Sequence, residues 1–272
     1  MPELPEVETV LRGIQPHIEQ QCIKNVVVRQ YTLRWPIPRD LKQKLLGNVI
    51  IQVERRAKYL LLKTHTGTLI LHLGMSGKLR IIEQHTKQQK HDHFDIEFDN
   101  QKTLRFNDPR RFGACLWVEE NPLLHPLLKK LGPEPLHKDF SGKYLWQRAQ
   151  NRKAPIKTFI INSQIVAGVG NIYAAEALFL AGIHPDTPAA ILSLQQYNQL
   201  AKQIKSVLRQ AIKRGGTTLK DFLNSNGEPG YFENQLKVYG RAGLPCKHCH
   251  SILKTMRIGQ RASVFCEQCQ QL

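Results

Sequence analysis

The sequence predicts an α+β multidomain protein: an antiparallel β-sandwich or barrel behind one leading helix, then a helical segment, then a small metal-bound module. Three observations carry this prediction. Short runs rich in β-branched and aromatic residues recur between Asn25 and Val118. Helical spacing replaces them after Asn121. Four of the six cysteines sit in two tight pairs near the end.

Each element has its own justification. Val7, Val10, Leu11, Ile14 and Ile18 share one helical face, and Pro5 suits a first turn, which predicts a helix after the opening "MPELPEVE". "NVVVRQ", "YLLLK", "TLILHL", "KLRII", "HFDIEF", "TLRF" and "ACLWV" read as strands. The alternation in "HFDIEFDN" predicts a half-buried strand. Pro122, Pro126, Pro133 and Pro135 punctuate a transition to helices. "GVGNIYAAEALFLAG" is a helix with a glycine-rich approach. Ser193 and Gln196 form a capping box for a long helix with Leu194, Tyr197, Leu200, Ala201, Ile204, Leu208 and Ala211 as its buried stripe, ended by Gly215 and Gly216. Repeats and low-complexity tracts are absent from the sequence.

Lys and Arg number 39 against 22 Asp and Glu, a formal net charge of +17. Such an excess points to a polyanionic partner, nucleic acid before anionic membrane. No apolar run approaches the ~20 residues that span a bilayer, and the start is acidic where a signal peptide is basic. A cytoplasmic protein without a membrane partner is expected, and nothing calls for more than a monomer. In that reducing setting Cys246, Cys249, Cys266 and Cys269, as C-x2-C, sixteen residues and C-x2-C, read as one structural zinc site. Four thiolates close the shell, which leaves His248 and His250 as basic surface. Cys22 and Cys115 are expected to be small buried hydrophobes. Between the pairs, "KTMRIGQRASVF" reads as a basic hairpin.

Gly168 and Gly170, just before a helix start at Asn171, suit either a phosphate clamp or a tight helix–helix turn. Asn151, Arg152, Lys153 and Lys157 make the neighbourhood basic and favour the clamp. Two turns carry residues able to wedge into a duplex: Met75 between glycines in "HLGMSGKL", and Arg110, Arg111 and Phe112 after the turn-forming Asp-Pro of "DPRRFGA". An enzyme acting on a base inside DNA must take it out of the stack, and such side chains fill the space.

With "PELPEVE", "RRAKYL", "HLGMSG", "KHDH", "DPRRFGA", "GVGNIYA", "GGTTLKDF" and the four-cysteine end in order, the whole chain resembles bacterial formamidopyrimidine-DNA glycosylase. The resemblance implies a catalytic sandwich with flanking helices over residues 1–132, a helix–two-turn–helix DNA-binding domain over 133–225, and a loop with a zinc finger over 226–272. It implies a nucleoid-associated repair enzyme that acts on double-stranded DNA containing oxidised purines, notably 8-oxoguanine and formamidopyrimidines, or abasic sites, and then cleaves the strand. By the same resemblance Pro2 is the nucleophile once Met1 is removed, Glu3 a general acid, and Lys58 an aid to elimination. Met75, Arg110 and Phe112 fill the gap left by the flipped nucleotide. His91, Lys157, Asn171 and Arg261 hold phosphates, with Arg261 also placed at the last elimination, and Lys220 lies in the loop closing over the lesion.

The chemistry supports the terminal nucleophile independently. Schiff-base formation needs a neutral amine, and an α-amino group near pKa ~7.7–8.0 supplies one far better than a lysine near ~10.4. A proline adduct is an iminium with a fixed positive charge, able to draw electrons during elimination. Glu6 is read as a partner of that site or as a favourable charge at a helix start. Three alternatives stay open on sequence: the sister endonuclease VIII family acting on oxidised pyrimidines, a non-catalytic zinc-finger DNA-binding protein, and an RNA-associated basic protein.

Overall fold

A computed structural model describes residues 1–217 and 235–271. The chain forms two compact units, the first built from Met1–Lys129 with residues 214–217, the second from Lys130–Lys213 with residues 235–271.

In the first unit, α1 (Leu4–Ile18) buries Val7, Val10, Leu11, Ile14 and Ile18 along one face, as the spacing predicts. Two four-stranded antiparallel sheets follow. One has the order β1 (Ile23–Val28), β6 (Asp92–Phe98), β7 (Lys102–Asn107), β5 (Lys78–Glu83). The other has the order β2 (Gln52–Arg56), β3 (Tyr59–Lys63), β4 (Thr68–His72), β8 (Ala114–Val118). Val26, Phe94, Ile96 and Phe106 from the first sheet, Leu60, Leu62, Leu69 and Leu71 from the second, and the α1 face form one core. A short helix α2 (Leu41–Leu45) adds Leu41 and Leu45 to that core.

Three expectations change here. The strand β6 is buried on both faces apart from Glu97, not half-buried. Its polar side is covered by ion pairs, with Arg105 gripping Asp95 through Nε at 2.8 Å and Nη2 at 2.7 Å, and Arg80 meeting Asp92 at 3.0 Å. Alternation reports which residues are polar, whereas burial depends on what covers them. Cys115 is buried as expected, but Cys22 is only half-buried, in an isolated bridge to Val49. The third change falls in the second unit.

There the helices are α3 (Gly142–Ala149), α4 (Ile156–Ile161), α5 (Asn171–Leu180) and α6 (Leu194–Lys213). The capping box forms as read: Ser193 N–H donates to Gln196 Oε1 at 2.9 Å and Gln196 N–H to Ser193 Oγ at 3.2 Å. Leu194, however, is exposed. Helical side chains lean toward the N-terminus, so a first-turn residue projects past the packed face. At Gly142 a Cβ would lie 2.4 Å from the Asn198 backbone, which makes glycine the condition for α3 packing on α6. The hairpin β9 (Lys254–Ile258) and β10 (Arg261–Phe265) turns through Gly259 and Gln260, both at positive φ, as suits a two-residue connection. Ala175 and Phe179 of α5 share a core with Val238, Leu253 and Val264 of this module. No helix among the described residues is long and apolar enough to cross a membrane.

Candidate nucleic-acid interface and active site

The first unit presents the amino terminus. Pro2 is buried, and Glu3 is 3% exposed at the N-cap of α1. Glu6, fully buried, accepts the Glu3 N–H at 2.8 Å through Oε2 and the Thr217 N–H at 2.9 Å through Oε1. Both contacts bear on the two readings left open for Glu6: the Glu3 bond is half of a capping box at the helix start, and the Thr217 bond ties the first residues of the chain to a segment 211 positions away. Gly216, at φ 80°, lets that segment approach, because a Cβ there would sit 3.0 Å from Glu6 Oε1.

Lys58 occupies, with Ala57, the two-residue turn between β2 and β3 and is half-buried. Arg55, which the sequence reading passed over, fastens this turn to α1, its Nε donating to Glu8 Oε2 at 2.9 Å and its Nη1 to Ala57 O at 3.0 Å. Burial works to raise the Glu8 pKa, but Arg55 and Arg12 together hold it below the usual carboxylate value. His72, its ring tilted 45° against that of Tyr59 at 4.8 Å, has its pKa brought down to about 4 by burial and by the charges of Lys58 and Arg34. It is therefore neutral, and its Nδ1 accepts the Gly74 N–H at 3.0 Å, shaping the turn that bears Met75.

The turn bearing Met75 and the turn bearing Arg110 and Phe112 meet. A Cβ on Gly74 would lie 2.4 Å from the Phe112 carbonyl carbon and 2.5 Å from Gly113 N, so only glycine allows the approach. Phe112 is 43% exposed, and the Arg110 guanidinium lies 5.0 Å from its ring. An apolar ring held open to solvent on a tight turn, beside a cation, suits insertion into stacked bases. His91 adopts φ 72° and is half-buried close to these turns in the hydrogen-bond network.

The second unit brings together Lys157, Asn171 and the β9–β10 hairpin. Lys157 is 1% exposed, and its Nζ donates to Ser263 Oγ at 2.7 Å and Ala262 O at 3.2 Å. Asn171, the first residue of α5, donates from Nδ2 to Ala262 O at 3.2 Å. Arg261 is exposed on the same hairpin, and Asn151, Arg152 and Lys153 are exposed before α4. Gly170 is the N-cap of α5, preceded by Gly168 at φ 81°, and the first residue of the helix shares the Ala262 carbonyl with Lys157.

Cys246, Cys249, Cys266 and Cys269 place their four sulfurs within 4.8 Å of one another. Tetrahedral zinc with Zn–S of about 2.3 Å sets sulfurs about 3.8 Å apart, and Cys246–Cys269 at 4.0 Å and Cys249–Cys266 at 3.4 Å bracket that value. The residues fit one zinc with no open position, and His248 and His250 are exposed and outside the set. Glu176 of α5, which sequence reasoning missed, accepts the N–H groups of Lys237 at 2.8 Å and of Val238 and Tyr239 at 2.9 Å each. A lone glutamate on an apolar helix face was its only signal. Lys220 lies outside the described residues.

Comparisons with known proteins agree with this geometry. The formamidopyrimidine-DNA glycosylase N-terminal domain matches residues 1–115, the H2TH domain of the same enzyme 131–223, and the zinc finger found in FPG and IleRS 243–272. The formamidopyrimidine-DNA glycosylase of Nitrosococcus oceani is 57% identical over 99% of this chain and 100% of its own; that of Hydrogenovibrio crunogenus is 55% identical over 99% and 96%. Among solved structures, Lactococcus lactis Fpg bound to N7-benzyl-Fapy-dG DNA superposes with TM-score 0.92 at 34% identity over 100% of both chains. MutM (Fpg) from Thermus thermophilus gives 0.89 at 35% identity over 99% and 98%.

Fold and site define a zinc-finger DNA glycosylase, an enzyme of base-excision repair that also cleaves abasic sites. A chain of net charge +17 carries an exposed Phe112 beside Arg110, a glycine-capped helix start beside Lys157, and an acid-lined amino terminus. The chain belongs to the formamidopyrimidine-DNA glycosylase family.

Proposed function

We propose that the protein flips 8-oxoguanine and formamidopyrimidines out of duplex DNA, excises them through a Schiff base at Pro2, and cleaves the strand by β- and δ-elimination. The observation that carries this reading is the buried, acid-lined start of α1, with Pro2, Glu3 and Glu6 withdrawn from solvent in a chain of net charge +17. Relatives have been captured on DNA containing Fapy-dG, carbocyclic 8-oxo-G or an abasic site, which supports the substrate class.

With Met1 removed, the neutral Pro2 amine attacks C1′ of the damaged nucleotide. The glycosidic electron pair leaves with the base, and Glu3 supplies a proton to the opening sugar. The resulting iminium draws electrons as a C2′ proton is lost. The 3′ phosphate then departs, and the 5′ phosphate follows in the second elimination. Lys58 assists the proton transfers, and Arg261 the last step. Met75, Arg110 and Phe112 occupy the vacated stack. His91, Asn151, Arg152, Lys153, Asn171 and Arg261 hold phosphates, and Lys157 acts there through the hairpin it supports. Lys220 closes over the lesion. This work divides among residues 1–132, 133–225 and 226–272, and takes place in the bacterial cytoplasm at the nucleoid. Zinc keeps the finger folded and takes no chemical part.

The test is borohydride trapping on duplex DNA containing 8-oxoguanine opposite cytosine. A covalent protein–DNA adduct is expected. A variant with one residue inserted before Pro2 should lose the adduct yet bind the same DNA. An undiminished adduct in that variant, or none from the zinc-loaded wild type on any lesion, defeats the proposal.

A further inference from the structure

We infer that Asp108 is the positioning residue that sets both wedge-bearing turns and the His91 backbone as one rigid unit. The inference rests on the wedge reading given above for Met75, Arg110 and Phe112. Asp108 is fully buried, and every hydrogen-bonding atom it has is engaged. Its N–H donates to His91 O at 3.1 Å, and its carbonyl accepts from Arg111 N at 3.2 Å. The same carbonyl lies 2.6 Å from Nε2 of the buried His93, whose ring donates here because a carbonyl only accepts. Carboxylate Oδ1 accepts the Ser76 hydroxyl at 2.7 Å and the Arg110 N–H at 3.3 Å, and Oδ2 accepts the Gly113 N–H at 2.8 Å.

These partners flank the three wedges. Ser76 follows Met75, Arg110 is itself one wedge, and Gly113 follows Phe112. One side chain therefore joins two turns that lie 32 residues apart at the Ser76–Asp108 bond. The charge on Asp108 is matched by no cation among these contacts; two backbone amides and a hydroxyl satisfy it, which ties the anion to turn geometry rather than to an ion pair. The approach at Gly74 makes the same demand, since the turns fit only at one separation. Inserting a wedge into a base stack works against unstacking resistance, so a wedge on a loose turn would yield instead of the DNA.

Asp108→Asn keeps size and shape but turns an N–H donor on either Gly113 N or the Ser76 side. Three measurements on Asp108→Asn and Ser76→Ala separate positioning from damage. Single-turnover excision of 8-oxoguanine from duplex DNA should fall about 10–100-fold for Asp108→Asn and less for Ser76→Ala. Trapping on a single-stranded abasic site, which has no stack to open, should stay within about threefold. Fluorescence of 2-aminopurine opposite the lesion, bright when the stack is opened, should rise on binding wild type and stay low with Asp108→Asn. Equal losses on duplex and single strand, or an unchanged duplex rate with a normal fluorescence rise, overturn the inference. A wild type that opens the stack without excising any base would fail the functional reading instead, and the fluorescence comparison would still decide this one.

Discussion

Replacing Glu176 by Gln should loosen the zinc module at its root. The buried carboxylate of Glu176 accepts three successive backbone N–H groups, Lys237 through Oε2 and Val238 and Tyr239 through Oε1. Burial pushes its pKa up while those amides pull the other way, and the balance stays above the usual carboxylate value. A glutamine oxygen can keep the bifurcated pair, but its NH2 then faces the Lys237 N–H. One charge-assisted bond is lost and a buried donor is stranded, together about 2–4 kcal/mol. Because Ala175 and Phe179 of the same helix share a core with Cys246 and Cys266, that loss falls on the zinc ligands. Zinc release to a chromophoric chelator should accelerate roughly 30- to 1,000-fold at about 1.4 kcal/mol per decade, with a matching drop in urea stability of the second unit. Release within about twofold of wild type and a stability loss below ~0.5 kcal/mol would refute the reasoning.

Two further outcomes follow from the same structure. The His72 pKa is lowered from 6.5 to about 4 in the folded protein, so the unfolded chain takes up a proton that the folded one excludes. Stability from this residue is complete above pH 6.5 and is lost as pH falls toward 4, about 2 kcal/mol between pH 7 and 4.5; denaturant titrations of wild type and His72→Gln should converge by that amount over the window, and parallel curves would count against it. Zinc removal should abolish amide-exchange protection across Lys254–Phe265 while leaving β3 and β4 protected, since the finger's core is small and its four ligands sit within it; a protected hairpin in the metal-free protein would contradict this.

Local signals determined a large part of this protein. Helical period placed α1 and α6, and alternation with β-branched runs placed β1 and β3 through β8. Cysteine spacing alone defined the zinc site, because two hairpin knuckles need only nearest neighbours to present their thiolates. Order along the chain likewise carried the resemblance, and with it the roles proposed for Pro2, Glu3, Met75, Arg110 and Phe112. Other features were illegible because they depend on residues far apart. The strand β2, "QVERR", has no apolar pattern and exists because it pairs with β3. The burial of β6 follows from Arg29, Arg80 and Arg105 covering its acids, and the half-exposure of Cys22 from its place at an edge bridge. Lys157 reads as one more surface cation until the hairpin closes over it. Glu176 looks like an ordinary acid in sequence, Asp108 like a turn-former and Glu6 like either a partner or a helix-start charge, and only tertiary structure makes each a buried acceptor of backbone amides. A buried anion is stable only where donors converge on it. Here those donors come from positions 2 to 211 residues away, and the distant ones converge only in the folded chain.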